Sequence, residues 1–409
     1  MKRLSLFLFF LVYICFVSCS SKVEYYNISS VEELESIFEE PHENIVVNLK
    51  PGIYELSPEV FIDSTCANCQ EPDEQIIGTR GLTISGKNII ISGPNDRSAI
   101  IKTNAGYGLY IKNLDNGLIE NLTITSTIRD TAQMASNAAI VVSESSVTIQ
   151  HTTIKENLGD SLLISQHISG VMGICGRENS DIKIIENDIL CNSWDGIALF
   201  REAKAEIIGN RIDGIDKSVK RAPQGGRGVA IGITWNAEAV IKRNYIARYW
   251  KGIGIFVNGS CIIENNIVED MVTWGIALWD ADKGSPYARI ENNLLYDLGA
   301  CGISITKSAE DTESGWLVGN IVAKSGQNER YDSPDYYCKQ MSLAMEAVPE
   351  NFIIKDNLFF DNRRANDDLQ DFDLPEEMFL KKLNQRKDIL YQNPYFVSSK
   401  FYERFFTSQ

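Results

Sequence analysis

Histidine is scarce in this 409-residue chain, basic charge is outnumbered, and helical periodicity is nearly missing. Each shortage removes a class of function. The three histidines, His42, His151 and His167, stand far apart, so a three-histidine zinc site is not expected. Lys and Arg total 39 against 55 Asp and Glu, giving a net charge of -16. A phosphate-reading surface needs a clustered basic stripe, so nucleic acid is not an expected partner. One Cys-x-x-C pair exists, Cys66 and Cys69, without the second pair a zinc ribbon requires. It lies in the polar stretch "STCANCQEPDE", where a local disulfide would form in an oxidising compartment. There is no glycine loop followed by Lys-Ser/Thr and no G-x-S-x-G elbow.

Long apolar runs are missing everywhere except at the start, "MKRLSLFLFFLVYICFVSCSSK". Lys2 and Arg3 precede about 14 apolar residues, short for a bilayer span and right for a secretory signal. "FVSC" is similar to a bacterial lipobox, with Phe16 where that pattern usually has Leu. The expectation is a signal over 1–18 and lipidation of Cys19; plain secretion or an uncleaved anchor are the alternatives. Ser20 and Ser21 lack the aspartate associated with inner-membrane retention, which points to the outer membrane, with contact through the lipid anchor only. Setting Cys15 and Cys19 aside leaves seven cysteines, an odd number that forbids complete internal pairing. Cys191, Cys261 and Cys301 sit beside apolar repeat positions and read as small core residues.

What is present is a repeat. "IENDIL" at Asn187 returns as "IGNRI" at Asn210, "KRNYI" at Asn244, "ENNIV" at Asn266, "ENNLL" at Asn293, "VGNIV" at Asn320 and "KDNLF" at Asn357. The intervals are 23, 34, 22, 27, 27 and 37 residues, the range of solenoids, propellers and helical arrays. Each unit holds short β-branched runs broken by Gly, Asn and Asp, which excludes helical arrays; a propeller blade would need about 40 to 50 residues. A parallel β-helix remains, its coils about 4.8 Å apart. At that spacing an inward Asn can hydrogen-bond to the Asn of the next coil. "GLIENLTI" at Asn121 and "SSVTIQHTTI" with His151 extend the series. His151 is thereby expected as an interior hydrogen bonder.

A second ladder has Gly-Ile-x-Ile form: "DGIAL" at Gly196, "RGVAI" at Gly228, "KGIGI" at Gly252, "WGIAL" at Gly275 and "CGISI" at Gly302. The distance from ladder Asn to ladder Gly is 9, 18, 8, 9 and 9 residues, so 212–227 must leave the cylinder as a loop. A second excursion is expected at 325–340. The chain thus divides into a signal (1–18), a linker and cap helix (19–43), a β-helix of roughly a dozen coils (44–361) and a C-terminal cap or tail (362–409). "SSVEELESIF" predicts the N-terminal lid helix, and "DLPEEMFLKKLNQ" a C-terminal one with Pro375 at its first or second position.

"NIVVNLKPGIYEL", the "GLTISG…IIISG" pair, both ladders and the ending "NPYFV" resemble the right-handed parallel β-helix proteins of the pectate-lyase-like superfamily. The resemblance implies an all-β right-handed solenoid over most of the chain. It also implies a polysaccharide partner, because members are mostly polysaccharide lyases, hydrolases, esterases, epimerases or binding relatives. "NSWDGI" and "CGISI" are similar to two polygalacturonase segments, but Cys301 replaces a histidine and no paired Asp-Asp or R-I-K segment exists. A hydrolase of that type is therefore not the first expectation.

If Ile197 and Leu199 point inward, Ala198 and Phe200 point outward. Extending the ladder gives an outer column of Ala198, Ala230, Gly254, Ala277 and Ser304, then Phe200, Gly232, Phe256, Trp279 and Thr306. Trp194, Trp250 and Trp274 lie beside them. Small residues flanked by aromatics describe a shallow trough whose faces can stack sugar rings; packing beneath loops is the alternative for the same aromatics. Arg201 would contact substrate. Lyases of similar fold neutralise a uronate carboxylate with calcium or a cationic side chain and use a base at C5. The resemblance thus points to Arg227 and Lys251 as base or charge-neutralising pair, Asp195 as a catalytic carboxyl, and Asp280 and Asp282 as ligands of Ca2+. The expected function is binding and processing of a uronate-containing glycan by a lyase or epimerase; a non-catalytic carbohydrate-binding or cell-surface scaffold is the alternative.

Overall fold

The computed structural model describes residues 22–407, apart from 68, 72, 133, 160–169, 215–227, 308–314 and 334–338. Three short strands per turn wind one parallel β-helix. They lie on a front face (for example Ile197–Leu199), a back face (Lys204–Ile208) and a side face (Arg211–Asp213), and each pairs in parallel with its counterparts one coil away. The side face is a sheet of 11 strands. Front and back strands join into one sheet of 21, because Ile76–Ser92 and Tyr107–Glu120 run around the corner unbroken. A bulge falls between Ile84 and Gly86. Gly86 has φ 123°, and a Cβ there would overlap the His42 carbonyl oxygen, so this position requires glycine.

The interior is filled by files of identical residues. Ile174, Ile197, Ile231, Ile253, Ile276 and Ile303 are stacked neighbours with 0% exposure. Each such side chain contributes on the order of 1.5–3 kcal/mol by leaving water. Between the back and side faces runs the asparagine file. The Asn187 amide nitrogen donates to Asn210 Oδ1 at 3.1 Å, and the same bond recurs through Asn244, Asn266, Asn293, Asn320 and Asn357 at 2.9–3.0 Å. Each backbone N–H in the series donates to the same oxygen at 2.9–3.0 Å, so the bend satisfies its polar groups without water.

The residue just before each of these asparagines is left-handed, from Glu186 (φ 52°) and Gly209 (φ 66°) to Asp356 (φ 56°). Asn121 (φ 57°) and His151 (φ 49°) occupy this turn position, not the interior file. Thr152 is the residue whose N–H donates to Asn187 Oδ1, at 2.9 Å, while His151 is half-buried and sits 3.5 Å from Glu186. Isoleucine spacing carried the signal: Ile189 follows Asn187 by two residues, whereas Ile154 follows His151 by three.

The first paired strand is Glu24–Ile28, so the stretch before the N-terminal helix is already sheet. Helix Val31–Ile37 is capped by Ser30, whose Oγ accepts from Glu33 N–H, and it buries Leu34 in the core. Pro375 stands at the N-cap of helix Glu376–Asn384, one residue earlier than expected. This helix, Lys387–Leu390 and Lys400–Phe406 pack Phe379, Leu390 and Phe401 on the outward residues of the side face. The C-terminal segment therefore lies along the cylinder, tied by Asn393 to the carbonyl oxygens of Asn244 and Asn265. Cys66 and Cys69 are disulfide-bonded. Cys261 is in the core; Cys301 is buried outside the cylinder in a front-face cluster, and half-buried Cys191 is left-handed at φ 56°. Among the described residues no helix is long and apolar enough to cross a membrane.

Candidate functional site

The front face carries a cleft of about 200 Å³ spanning three coils, with Trp194, Asp195, Phe200, Trp250, Lys251 and Phe256 in its lining. Strand pairing orders them. Ala198, Gly232 and Gly254 form the outward row between the inward isoleucines. Asp195, Val229 and Lys251 occupy equivalent positions at the start of the front face, two residues before the first inward isoleucine, as Trp194, Gly228 and Trp250 do one residue earlier. At the far end of the face stand Phe200, Thr234 and Phe256. The middle coil is thus small wherever its neighbours are aromatic.

This register differs from the expected one by two residues on the middle coil. "GVAIGI" offers two isoleucine-valine frames, and the structure uses Ile231 and Ile233 as inward residues. Ala230 takes the glycine-ladder position, Gly232 replaces it in the outward row, and Val229 pairs with Lys251 where Arg227 was expected. Arg227 and the lipidation candidate Cys19 lie outside the described residues. Ile212 and Asp213 stay in a paired strand of the side face, so the cylinder continues past the expected start of the excursion at 212, and pairing resumes at Val229; residues 215–227, where the rest of that excursion was expected, lie outside the described residues.

Asp195 is the chemically distinctive group. It is 9% exposed, and its Oδ1 accepts the Val229 backbone N–H at 2.6 Å. Burial pushes its proton affinity up to about 7, against the smaller opposing effects of that hydrogen bond and of the Lys251 charge. Gly228 makes this placement possible, since a Cβ there would overlap Asp195 Oδ1. A carboxyl that titrates near neutrality can take up or release a proton at physiological pH.

The other candidates divide. Trp274 is 1% exposed and forms a buried support: Lys251 Nζ lies 5.6 Å from its ring centre, and Phe256 meets it edge-on at 6.4 Å. Trp279 packs edge-on against Phe256 at 6.0 Å, behind the cleft wall. Arg201 is not among the residues lining the cleft. Its guanidinium donates to the carbonyl oxygens of Cys66, Ala67 and Cys69 at 2.6–2.8 Å and to Glu178 at 2.5 Å, holding a loop contributed from more than 130 residues earlier. Asp280 Oδ1 accepts the Asp282 N–H at 3.1 Å in a turn. Among the described residues no group of three or more His, Cys, Asp or Glu side chains could hold a metal ion, so Asp280 and Asp282 have no third such side chain beside them there. Thr234 and Tyr331 escaped the sequence reading, and Gly228 and Gly232 were expected in other rows. Tyr331, in a single turn at Glu329–Tyr331, meets Trp250 edge-on at 6.1 Å.

A family model described as "Right handed beta helix region" matches residues 52–220 and 172–329, more than half of the chain. No curated protein matches the sequence. The chain is similar to the solved structure of a mannuronic acid specific polysaccharide family 6 lyase from human gut microbiota (12% identity, 92% of this chain and 100% of that one, TM-score 0.40). It is similar to an alginate lyase from Paenibacillus sp. str. FPU-7 (11% identity, 82% and 99%, TM-score 0.39). It is also similar to PfbA, a surface adhesin of Streptococcus pneumoniae (13% identity, 82% and 76%, TM-score 0.42).

Proposed function

This chain belongs to the right-handed β-helix family, and from that premise we propose that its front-face cleft binds a uronate-containing glycan and acts on it as a lyase or epimerase. The observation that carries the reading is one buried carboxyl, Asp195, with its proton affinity raised to about 7, in an aromatic-walled cleft that also holds the ammonium of Lys251. Trp194, Trp250, Phe200 and Phe256 offer ring faces for the apolar side of a pyranose. Lys251 neutralises the uronate carboxylate, which stabilises the carbanion that forms when the adjacent C5 loses its proton. Ionised Asp195 accepts that proton. Elimination then breaks the C4–O4 bond as the C4–C5 double bond forms, and the departing oxygen takes a proton from water; epimerisation instead returns a proton from water to C5 on the opposite face, and in both cases Asp195 releases its proton to solvent. Glycoside hydrolysis needs two carboxyls flanking the bond. Among the described residues lining the cleft, Asp195 is the one carboxyl.

Export with a lipid on Cys19 is part of the same proposal, supported by the apolar start and by the disulfide, which suits an oxidising compartment. Mass spectrometry of the mature N-terminus tests it; an unprocessed Met1 would remove it. For the chemistry, polygalacturonate and polymannuronate are incubated with the protein in D2O. Ultraviolet absorbance of a new double bond or deuterium at C5 is expected, and Asp195→Asn slows the appearance of both by about 100-fold or more. Retention in a glycan affinity gel with neither signal would leave a carbohydrate-binding scaffold as the correct reading.

A further inference from the structure

The front face is blocked at both ends. On one side of the cleft the outward residues Val141 and Cys175 share a buried cluster with Cys66, and on the other Ala277 shares one with Met341 and Leu369, so other segments lie on them. Toward the N-terminus the cover is the disulfide loop, with Cys66 packed in the same cluster as Cys175 and Phe200. Arg201 pins three carbonyl oxygens of this loop, Arg177 Nη1 donates to a fourth on Thr65 at 3.2 Å, and the loop's Ala67 N–H donates to Met134 at 2.7 Å. Arg177 is itself fully buried and ion-paired to Asp63 at 2.5 Å. Toward the C-terminus, Met341 and Leu369 pack on Trp274 and Ala277. There the Phe256 ring folds over Gly254, in the space a Cβ would need.

The sides are walled as well. Trp194 and Trp250 stand on one flank, with Tyr331 behind Trp250, and Phe200 and Phe256 stand on the other. The length that no described residue covers is two coil spacings, on the order of 10 Å. A volume of about 200 Å³ is below the roughly 300–1,000 Å³ that drug-sized ligands occupy. From this enclosure we infer that the cleft is a pit that receives the terminal sugar of a glycan or a short oligosaccharide, and does not admit the interior of a polymer. A chain laid along the cylinder axis would have to pass through the disulfide loop on one side and the Phe256–Trp274 wall on the other. The inference rests on the saccharide reading of the cleft and specifies which part of the glycan it takes.

The test is a length series. Oligogalacturonates and oligomannuronates from dimer to octamer, and the parent polymers, are titrated against the protein while Trp fluorescence is followed. Affinity per chain end should stay within about twofold from the shortest bound oligomer upward, and digestion should release the smallest product from the first turnover with little fall in polymer viscosity. Affinity that climbs steadily with length, or an early viscosity collapse with products of many sizes, overturns the pit while leaving the glycan reading intact. Failure of every length to bind overturns both. Phe256→Ala, which removes one wall, should raise the affinity for longer oligomers relative to dimer; the wild-type series decides the matter even where that variant folds poorly.

Discussion

The asparagine file and the front-face cleft are built by the same coil repeat, but they use it in opposite ways. In the file, each coil supplies the same residue, because an amide both donates and accepts and can bond its own kind at the coil spacing. In the cleft, neighbouring coils supply different residues: Trp194, Gly228 and Trp250 along one wall, Phe200, Thr234 and Phe256 along the other. Uniformity makes a rod, whereas a concavity requires one coil to be smaller than those beside it. The chemistry collects at that break, where Gly228 lets Asp195 fold in and become buried.

The comparison predicts distinct failures. Asp195→Asn should lower turnover by roughly 100- to 10,000-fold, the usual contribution of a positioned acid or base, with thermal unfolding and glycan retention preserved; steady-state kinetics beside a retention gel checks this. Asn266→Leu should do the converse. It leaves the N–H and the amide group of Asn244 without their shared acceptor, costing about 3 kcal/mol in denaturant unfolding, while the cleft chemistry of the folded fraction survives. His151→Ala, beside the file but outside it, should stay within about 0.5 kcal/mol of wild type.

Smaller effects sharpen the contrast. Trp250→Ala should weaken glycan binding about tenfold, on the order of 1.4 kcal/mol, read by calorimetry. The Asp195 carboxyl binds its proton more tightly folded than unfolded, with affinities of about 7 and 3.8. Its contribution to stability is therefore complete below about pH 4 and lost as pH rises through 7, at no more than about 1.4 kcal/mol per pH unit. Chemical denaturation across that window should show a steeper decline for wild type than for Asp195→Asn. Parallel curves would mean that Asp195 is not buried as described.

Legibility followed the same division. Inward positions repeat, so Ile197, Ile253, Ile276 and Ile303 and the seven asparagines could be read from spacing alone. Trp194, Asp195, Trp250 and Lys251 were also reachable, because strand alternation places them outside and ahead of the glycine ladder. Two errors came from ambiguous frames: "GVAIGI" admits two registers, and His151 lies one residue from the slot that Thr152 fills. Arg201 could not be read correctly, because its partners Cys66, Ala67 and Cys69 come from a distant loop laid over the coil. Asp280 and Asp282 could be paired from their order in the sequence, but the turn in which Asp280 accepts the Asp282 backbone N–H could not.

By itself the order of residues determined the stacking of coils, the inward files and the row of side chains from which a site could be drawn, since hydrophobic alternation and amide pairing act between neighbours one repeat apart. Tertiary structure alone decided which outward residues are open to solvent and what protonation Asp195 prefers. Both depend on segments remote in the chain folding over the cylinder and excluding water, and burial of that kind leaves no periodic trace in the sequence.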